Sequence, residues 1–231
     1  MFKTRYVNKL LTTNRHTLLP FGGEILNLKY LRERFLIKIL GKRITYTVTS
    51  THGYDDVSVQ SGLVYAAGRA RANRVDVYDS STWRRLRQIP TPCCSTEAYS
   101  DHTLHVSDDR IRFCCSKKAK LHVLSHSGEL LQTHGRSVKE ASEDDIIGRN
   151  ASGELVYGPG VLYGPRLCQV DADRSALVAD THNDRLQLMR ADGTWSVVDL
   201  DRNVVNPKGA VWCNASLYVA NDNVIVRFSA L

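Results

Sequence analysis

Four cations in two short polar turns are the residues of this chain whose type and spacing point to chemistry. Arg69 and Arg71 stand in Arg-Ala-Arg-Ala-Asn, and Lys117 and Lys118 in Ser-Lys-Lys-Ala. Closely set cations neutralise phosphates or carboxylates, so the chemistry they announce is recognition of an anion. Bond-making constellations are not found: the sequence holds no Gly-x-Ser-x-Gly, no P-loop and no His-Glu-x-x-His. His122, His126 and His134 follow Cys114 and Cys115 at no metal-site spacing, and none of Cys93, Cys94, Cys114, Cys115, Cys168 and Cys213 forms a C-x2-C pair. Neighbouring cysteines on a strand point to opposite faces, so neither doublet clamps one ion. The expectation is six reduced, core-packed cysteines, no metal and no cofactor.

Charge sharpens the case for an anionic partner. The formal net charge is +7 over 231 residues, with ten Lys/Arg against two Glu in residues 1–50. Residues 69–120 carry eleven cations and six acids, whereas residues 121–231 carry ten cations and fourteen acids. The molecule is electrically lopsided, with a basic and an acidic half.

The elements that must position these residues repeat along the chain. Residues 170–195 lie over residues 105–130 without a gap, at an offset of 65. Each copy is an apolar strand, an Asp-rich turn, a second strand, a polar turn closed by a cation, an alternating third strand and a Gly turn. Residues 64–83 and 217–228 repeat parts of the pattern, and residues 34–43 give a fainter copy. The cations Arg34, Arg74, Lys120 and Arg185 occupy equivalent places, separated by 40, 46 and 65 residues. The first two spacings match one four-stranded propeller blade, and the third leaves about twenty extra residues, placed in 135–164.

Short strands of period-2 alternation bounded by Asp, Asn, Gly and Ser predict antiparallel hairpins and an all-β fold. Within Ile25 to Leu40 a helical spacing competes, but the alternation of Phe35, Ile37 and Ile39 favours a strand for the second half. The expectation is a single domain over 1–231, a β-propeller of five four-stranded antiparallel blades, or six if 135–164 hides one. Residues 1–50 then form a basic partial blade, and Arg5 to Leu11 could supply the outer strand missing from the last blade; otherwise the propeller is incomplete, with an open edge. Because strands in a blade alternate direction, the turn between the second and third strands shares an end with the link to the next blade. That turn holds Arg69 and Arg71 in one blade, Lys117 and Lys118 in the next, and Thr181 to Asp184 and Asn221 to Asn223 in the following two.

These units resemble NHL repeats. The likeness is fullest in 164–198, through Gly164-Pro165, Val178-Ala179-Asp180, Asn183 and Arg185. It continues in 206–228 through Asn206-Pro207-Lys208-Gly209 and Tyr218-Val219-Ala220-Asn221, and is partial in 56–89, where Gly68 stands for the Asp and Asn73-Arg74 matches. The resemblance implies that Asp180, Asn183, Arg185, Arg74 and Lys120 hold the repeat together, the Asp accepting from turn amides and the Arg pairing across blades.

It also implies a non-catalytic binding module, like the C-terminal part of tripartite-motif (TRIM) ubiquitin ligases, which holds a protein or an RNA. No Cys/His array of a RING and no heptad coiled coil is present, so ligase activity does not transfer. A protein partner is favoured over single-stranded RNA, with Arg69, Arg71, Lys117 and Lys118 as the contact residues; the bland alternative is a solvated charged surface. Trp83 and Trp195 read as packing residues. Glu140 to Asp145 reads as a solvated acidic loop. A second alternative is a gluconolactonase-like, metal-dependent hydrolase, for which Asp171 and Asn206 are the nominees, and a third is a truncated propeller fragment without independent function. The first residues lack the apolar run of a signal peptide, and no stretch suits a membrane span, so the expected location is the cytoplasm.

Overall fold

The computed structural model describes residues 10–13, 16–21, 24–31, 34–39, 42–49, 54–68, 73–92, 102–149, 153–201, 204–213, 216–221 and 224–229, with the backbone alone over 10–49. Strands dominate, and the helical content among the described residues is two single 3-10 turns, Glu143–Asp145 and Thr181–Asn183. No described helix is long and apolar enough to cross a membrane.

Five sheets follow one another along the chain, each a sequential antiparallel meander. The first joins β1 (Leu10–Thr13), β2 (His16–Phe21), β3 (Glu24–Leu31), β4 (Arg34–Ile39) and β5 (Lys42–Thr49). The second holds β6 (Tyr54–Gln60), β7 (Leu63–Gly68), β8 (Arg74–Asp79) and β9 (Arg85–Pro90). The third holds β10 (His102–Val106), β11 (Ile111–Cys115), β12 (Lys120–Leu124) and β13 (Leu130–His134). Residues 135–164 then form two small pairings: β14 (Arg136–Ser137) runs parallel to β17 (Val161–Leu162), and β15 (Ile146–Arg149) is antiparallel to β16 (Leu155–Tyr157). The insertion therefore holds no sixth four-stranded blade among the described residues. The fourth sheet is β18 (Pro165–Val170), β19 (Ala176–Asp180), β20 (Arg185–Met189) and β21 (Trp195–Val197), and the last is β22 (Gly209–Cys213), β23 (Ser216–Ala220) and β24 (Ile225–Ser229).

The repeat offset carries into three dimensions residue for residue. Adding 65 to the bounds of β11 and β12 gives β19 and β20, and adding it to the first residue of β13 gives Trp195, the first of β21. Each cation of the repeat opens its strand: Arg34 begins β4, Arg74 β8, Lys120 β12 and Arg185 β20.

The core lies between successive sheets. In β11, Ile111, Phe113 and Cys115 pack with Tyr65, Val75, Val77 and Ile89 of the sheet before, whereas Cys114 faces Leu167, Val178 and Met189 of the sheet after. In β19, Ala176 and Val178 face backward, and Leu177 and Ala179 face the last sheet with Leu217, Val219 and Phe228. A strand sandwiched on both faces reads as a continuous apolar run, which is why β11 and β19 are wholly buried. Each fully buried Leu or Phe contributes about 1.5–3 kcal/mol.

Strands β6, β10, β18 and β22 run side by side as the inner strands, and β1 lies beside β22. Inner strands of different sheets share no ladder, so side chains satisfy their amides: Leu104 donates to Asp56 Oδ2 at 2.8 Å, Leu167 to Thr103 Oγ1 at 2.7 Å and Trp212 to Gln169 Oε1 at 2.7 Å. Leu10 and Thr13 pair with β2, beside the inner strand of the last sheet rather than with its outer strand β24. The rest of the expected closing segment, residues 5–9, lies outside the described residues.

One expectation about the cysteines is corrected. Cys114 and Cys168 are buried thiols and Cys213 is a thiol, but Cys115 is disulfide-bonded. Strand alternation separates the two cysteines of the doublet into different inter-sheet layers, so they meet different partners.

Candidate functional site

Asp180 is the hub of the best-formed repeat. It ends β19 opposite Arg185, the first residue of β20. Its Oδ1 accepts the amide of Tyr163 at 2.6 Å, and its Oδ2 accepts Arg185 Nε at 2.9 Å, Asn183 Nδ2 at 2.8 Å and Gln187 Nε2 at 2.8 Å. The carboxylate is fully buried, so only such a complete set of donors makes its charge tolerable.

Arg185 uses its remaining donors on the insertion. It donates to the carbonyls of Tyr157, Gly158 (3.2 Å) and Val161 (2.9 Å), while Gln187 accepts the amide of Gly160 at 2.8 Å and donates to Val161 O at 3.1 Å. Lys120 does the same at the other end of the insertion, donating to Gly135 O at 3.1 Å and Glu140 at 2.9 Å. Two consecutive repeat cations thus clamp the two ends of residues 135–164.

The second sheet solves the same problem with the residues exchanged. Gly68 occupies the place of Asp180, and Asp76 the place of Gln187, two residues after the strand-opening cation. Asp76 is fully buried and accepts Arg74 Nε at 3.2 Å, Gln88 Nε2 at 2.8 Å and the Tyr54 hydroxyl at 2.7 Å. Burial, more than the hydrogen bonds to Tyr78 and Asp76, pushes the Tyr54 hydroxyl well above the ordinary phenol range. Asp76 and Gln187 escape motif matching; their signal is a polar residue on the buried register of an alternating strand.

The four recognition candidates divide. Lys117 and Lys118 are exposed in the turn between β11 and β12, while residues 69 and 71 lie outside the described residues. The neighbours of that turn are set by the insertion. A Cβ on Gly135 would meet Leu162 Cδ1 at 2.6 Å and Ala119 O at 3.1 Å, so the lysine turn abuts the segment that ends in Tyr163. Tyr163 is half exposed and rests against His182 of the next turn, ring centroids 4.8 Å apart, with the His182 amide donating to Tyr163 O at 3.0 Å. Gly164, at φ +65°, brings the chain so close to His182 that a Cβ would lie 2.4 Å from the ring.

The succession continues into the last sheet. Asn206 donates its amide to Asp184 Oδ1 at 2.6 Å, Thr181 Oγ1 donates to Pro207 O at 2.9 Å, and Asn221 Nδ2 donates to Val205 O at 3.3 Å. Val205 (62% exposed) and Val224 (52%) stand out from this ridge. At one end of the sheets, then, a hydrogen-bonded row of loops presents two lysines, a braced tyrosine and two valines.

The opposite end is chemically different. Its turns close on their own aspartates: Asp79 accepts from Ser81 and Thr82, Asp173 from Ser175, and Asp192 from Thr194. The hydrogen bond from the Ser81 hydroxyl, then those from Thr82, bring the Asp79 carboxyl down to about 2. The Ser175 amide lowers Asp173, and the Thr194 hydroxyl lowers Asp192.

Other nominees are scattered. Asp171 follows β18 at this aspartate-lined end, accepting from Gln169 Nε2 at 2.6 Å, whereas Asn206 lies among the loops of the other end. His122 is buried, its Nδ1 3.1 Å from Thr133 Oγ1, and burial followed by the charge of Lys120 lowers it to about 4. His126 bridges Tyr65 OH at 3.1 Å and Ser107 O at 3.0 Å, linking two sheets. No group of three or more metal-ligating side chains occurs among the described residues. Trp195 packs against the core between the third and fourth sheets.

Meandering four-stranded sheets stacked through both faces, with adjacent inner strands, define a β-propeller. No protein-family model matches the chain, and no curated protein matches it in sequence. Solved structures share the fold. A Bacteroides thetaiotaomicron protein of unknown function superposes with TM-score 0.67 at 11% identity, over 92% of this chain and 60% of that one. A streptogramin B lyase gives 0.58 at 11% identity over 93% and 68%, and the WD40 β-propeller domain of Doa1 gives 0.58 at 11% identity over 91% and 61%. The chain spans about three fifths of the first and last of these.

Proposed function

We propose that this chain is a non-catalytic binding module of NHL type, in which the propeller is a scaffold and the loop end beside Lys117, Tyr163 and Val205 recognises a protein partner. The observation that supports this reading is a hydrogen-bonded series of loops at one end that carries the half-exposed ring of Tyr163 and the exposed Val205 and Val224. The metal-dependent hydrolase is the weaker reading because its two nominees, Asp171 and Asn206, stand at opposite ends of the sheets.

A photo-crosslinking side chain tests the proposal when placed at Val205 in the intact chain and, as control, at exposed Ala191 in the opposite turn. In extract of the source cells, irradiation should give protease-sensitive adducts from position 205 and none from 191. Equal labelling from both positions, or from neither, defeats the binding reading; nuclease-sensitive adducts replace the protein by RNA.

A further inference from the structure

Between the third and fourth sheets, at the aspartate-lined end, lies a buried cation that its protein neighbours leave under-partnered. Arg112 stands in β11 two residues before Cys114, so its side chain shares the face turned toward the fourth sheet. It is 3% exposed, and its one hydrogen bond among the described residues runs from Nη1 to Ser107 Oγ at 3.3 Å. A buried charge is tolerable only with a full set of partners, and a single long bond to a neutral hydroxyl leaves most of a guanidinium fork unused. Those unused donors reach solvent: the described side-chain nitrogens and oxygens that are buried without a partner are Asn73 Oδ1 and Thr91 Oγ1, neither of them on Arg112. With so little of the residue exposed, the opening above it is narrow.

The surrounding charges sharpen the demand. Asp109 is the carboxylate that acts on Arg112 among the described residues, and it is already shared. Its Oδ1 accepts Ser107 Oγ at 2.8 Å, and its Oδ2 accepts Arg110 Nε at 3.1 Å and Arg174 Nη2 at 3.3 Å. Three guanidiniums thus gather around one carboxylate. The other aspartates of these turns are engaged elsewhere: Asp108 accepts from Gln60 and Ser61, Asp171 from Gln169 and Asp173 from Ser175. Burial pushes the Arg112 guanidinium below its usual range against the pull of Asp109, and burial followed by the charge of Arg112 lowers His134. Arg174 sits at φ +73°, a conformation that favours glycine, so the turn by itself does not call for an arginine there.

We infer that the turns 107–110 and 171–175 bind a small, doubly charged oxyanion, phosphate or sulfate, with Arg112 beneath it and Arg110 and Arg174 at its rim. The excess of three guanidiniums over one carboxylate matches a dianion, and guanidinium forks suit the oxygens of a tetrahedral ion. The narrow opening admits a free ion rather than a phosphate carried on a macromolecule. This site lies at the opposite end of the sheets from Tyr163 and Val205, so it stands whether or not the loop row binds a protein.

The test follows thermal unfolding and calorimetric titration of the full chain with inorganic phosphate and, separately, sulfate, at constant ionic strength balanced by chloride, with acetate as the singly charged comparison. At a hundredfold excess over its dissociation constant, the bound ion should raise the melting temperature by about 5–11 °C. Acetate should do less, and the tighter of phosphate and sulfate names the ion. Arg112→Met keeps an apolar stem and removes the charge, so it should abolish the rise and should melt in chloride no lower than the parent protein. Arg174→Ser, at an exposed position, should weaken the ion roughly tenfold. Arg84→Ser, which removes an exposed arginine of the same end outside the cluster, should leave affinity unchanged. A rise that acetate or Arg112→Met reproduces is a general salt effect and overturns the inference. So does equal weakening in Arg174→Ser and Arg84→Ser, or binding of neither ion. A folded Arg112→Met that melts well below the parent in chloride also overturns it, because protein groups then already satisfy the guanidinium. Should that variant fail to fold, Arg174→Ser against Arg84→Ser decides alone.

Discussion

Replacing Arg185 by Met probes the clamp between the fourth sheet and the insertion. The Arg185 side chain is 11% exposed and the Asp180 side chain 0%, and their contact is 2.9 Å. Removing one partner of a buried pair strands the other charge and costs about 3–5 kcal/mol. Here the lower end applies, because Asp180 keeps the Tyr163 amide, Asn183 and Gln187 as donors. A loss of about 3 kcal/mol in a domain of this size lowers the melting temperature by about 6–12 °C. The damage should also be local, since Tyr157 and Gly158 lose their donor to the carbonyl. Urea unfolding measures the free energy, and hydrogen exchange reads the amides of residues 157–163, which should exchange faster. The double variant Asp180→Asn/Arg185→Met leaves no stranded charge and should recover about 1–2 kcal/mol relative to Arg185→Met alone. A loss below about 1 kcal/mol with unchanged exchange over 157–163 would refute the clamp, because that is the size expected of a solvent-exposed ion pair.

Two further outcomes follow from the third sheet. The hydrogen bond from Lys120, then that from the Ser137 amide, bring the Glu140 carboxyl down to about 2 from an ordinary 4.5. A lowered acid stabilises the fold fully above its unfolded value and loses that contribution as pH falls through the folded one; Lys120→Met should return the NMR titration midpoint of Glu140 toward 4.5, and an unmoved midpoint tells against the pairing. Peptide mapping of unreduced protein should find Cys115 in a disulfide and Cys114 as a thiol, with Cys115→Ser costing about 2–4 kcal/mol; alkylation of Cys115 in unfolded, unreduced protein contradicts this.

Local chemistry made much of the propeller legible. The strand-opening cations Arg74, Lys120 and Arg185, the hairpins they close and the 65-residue offset depend on alternation and turn residues only a few positions apart, and the sheets keep them in register. Asn183 and Arg185 stand within five residues of Asp180, but their side-chain bonds to it within one sheet differ from the expected pairing of the Arg across blades. The repeat spacing likewise marked residues 135–164 as extra to the repeat, and alternation marked 34–39 as a strand despite a competing helical spacing.

What tertiary structure alone decided are the contacts that close long loops. Asp76 is the hub of its sheet because Tyr54 and Gln88, 22 and 12 residues away, bring donors to it beside that of Arg74. Leu162 lies near Ala119 of the lysine turn, and Tyr163 against the ring of His182, because clamps at both ends of the insertion hold it there. Cys115 left the reduced set through a partner that its own strand does not contain. Periodicity specifies which way a side chain points, but which group it meets is set by the stacking of whole sheets, where the entropy of ordering intervening chain is offset by burial spread over many residues.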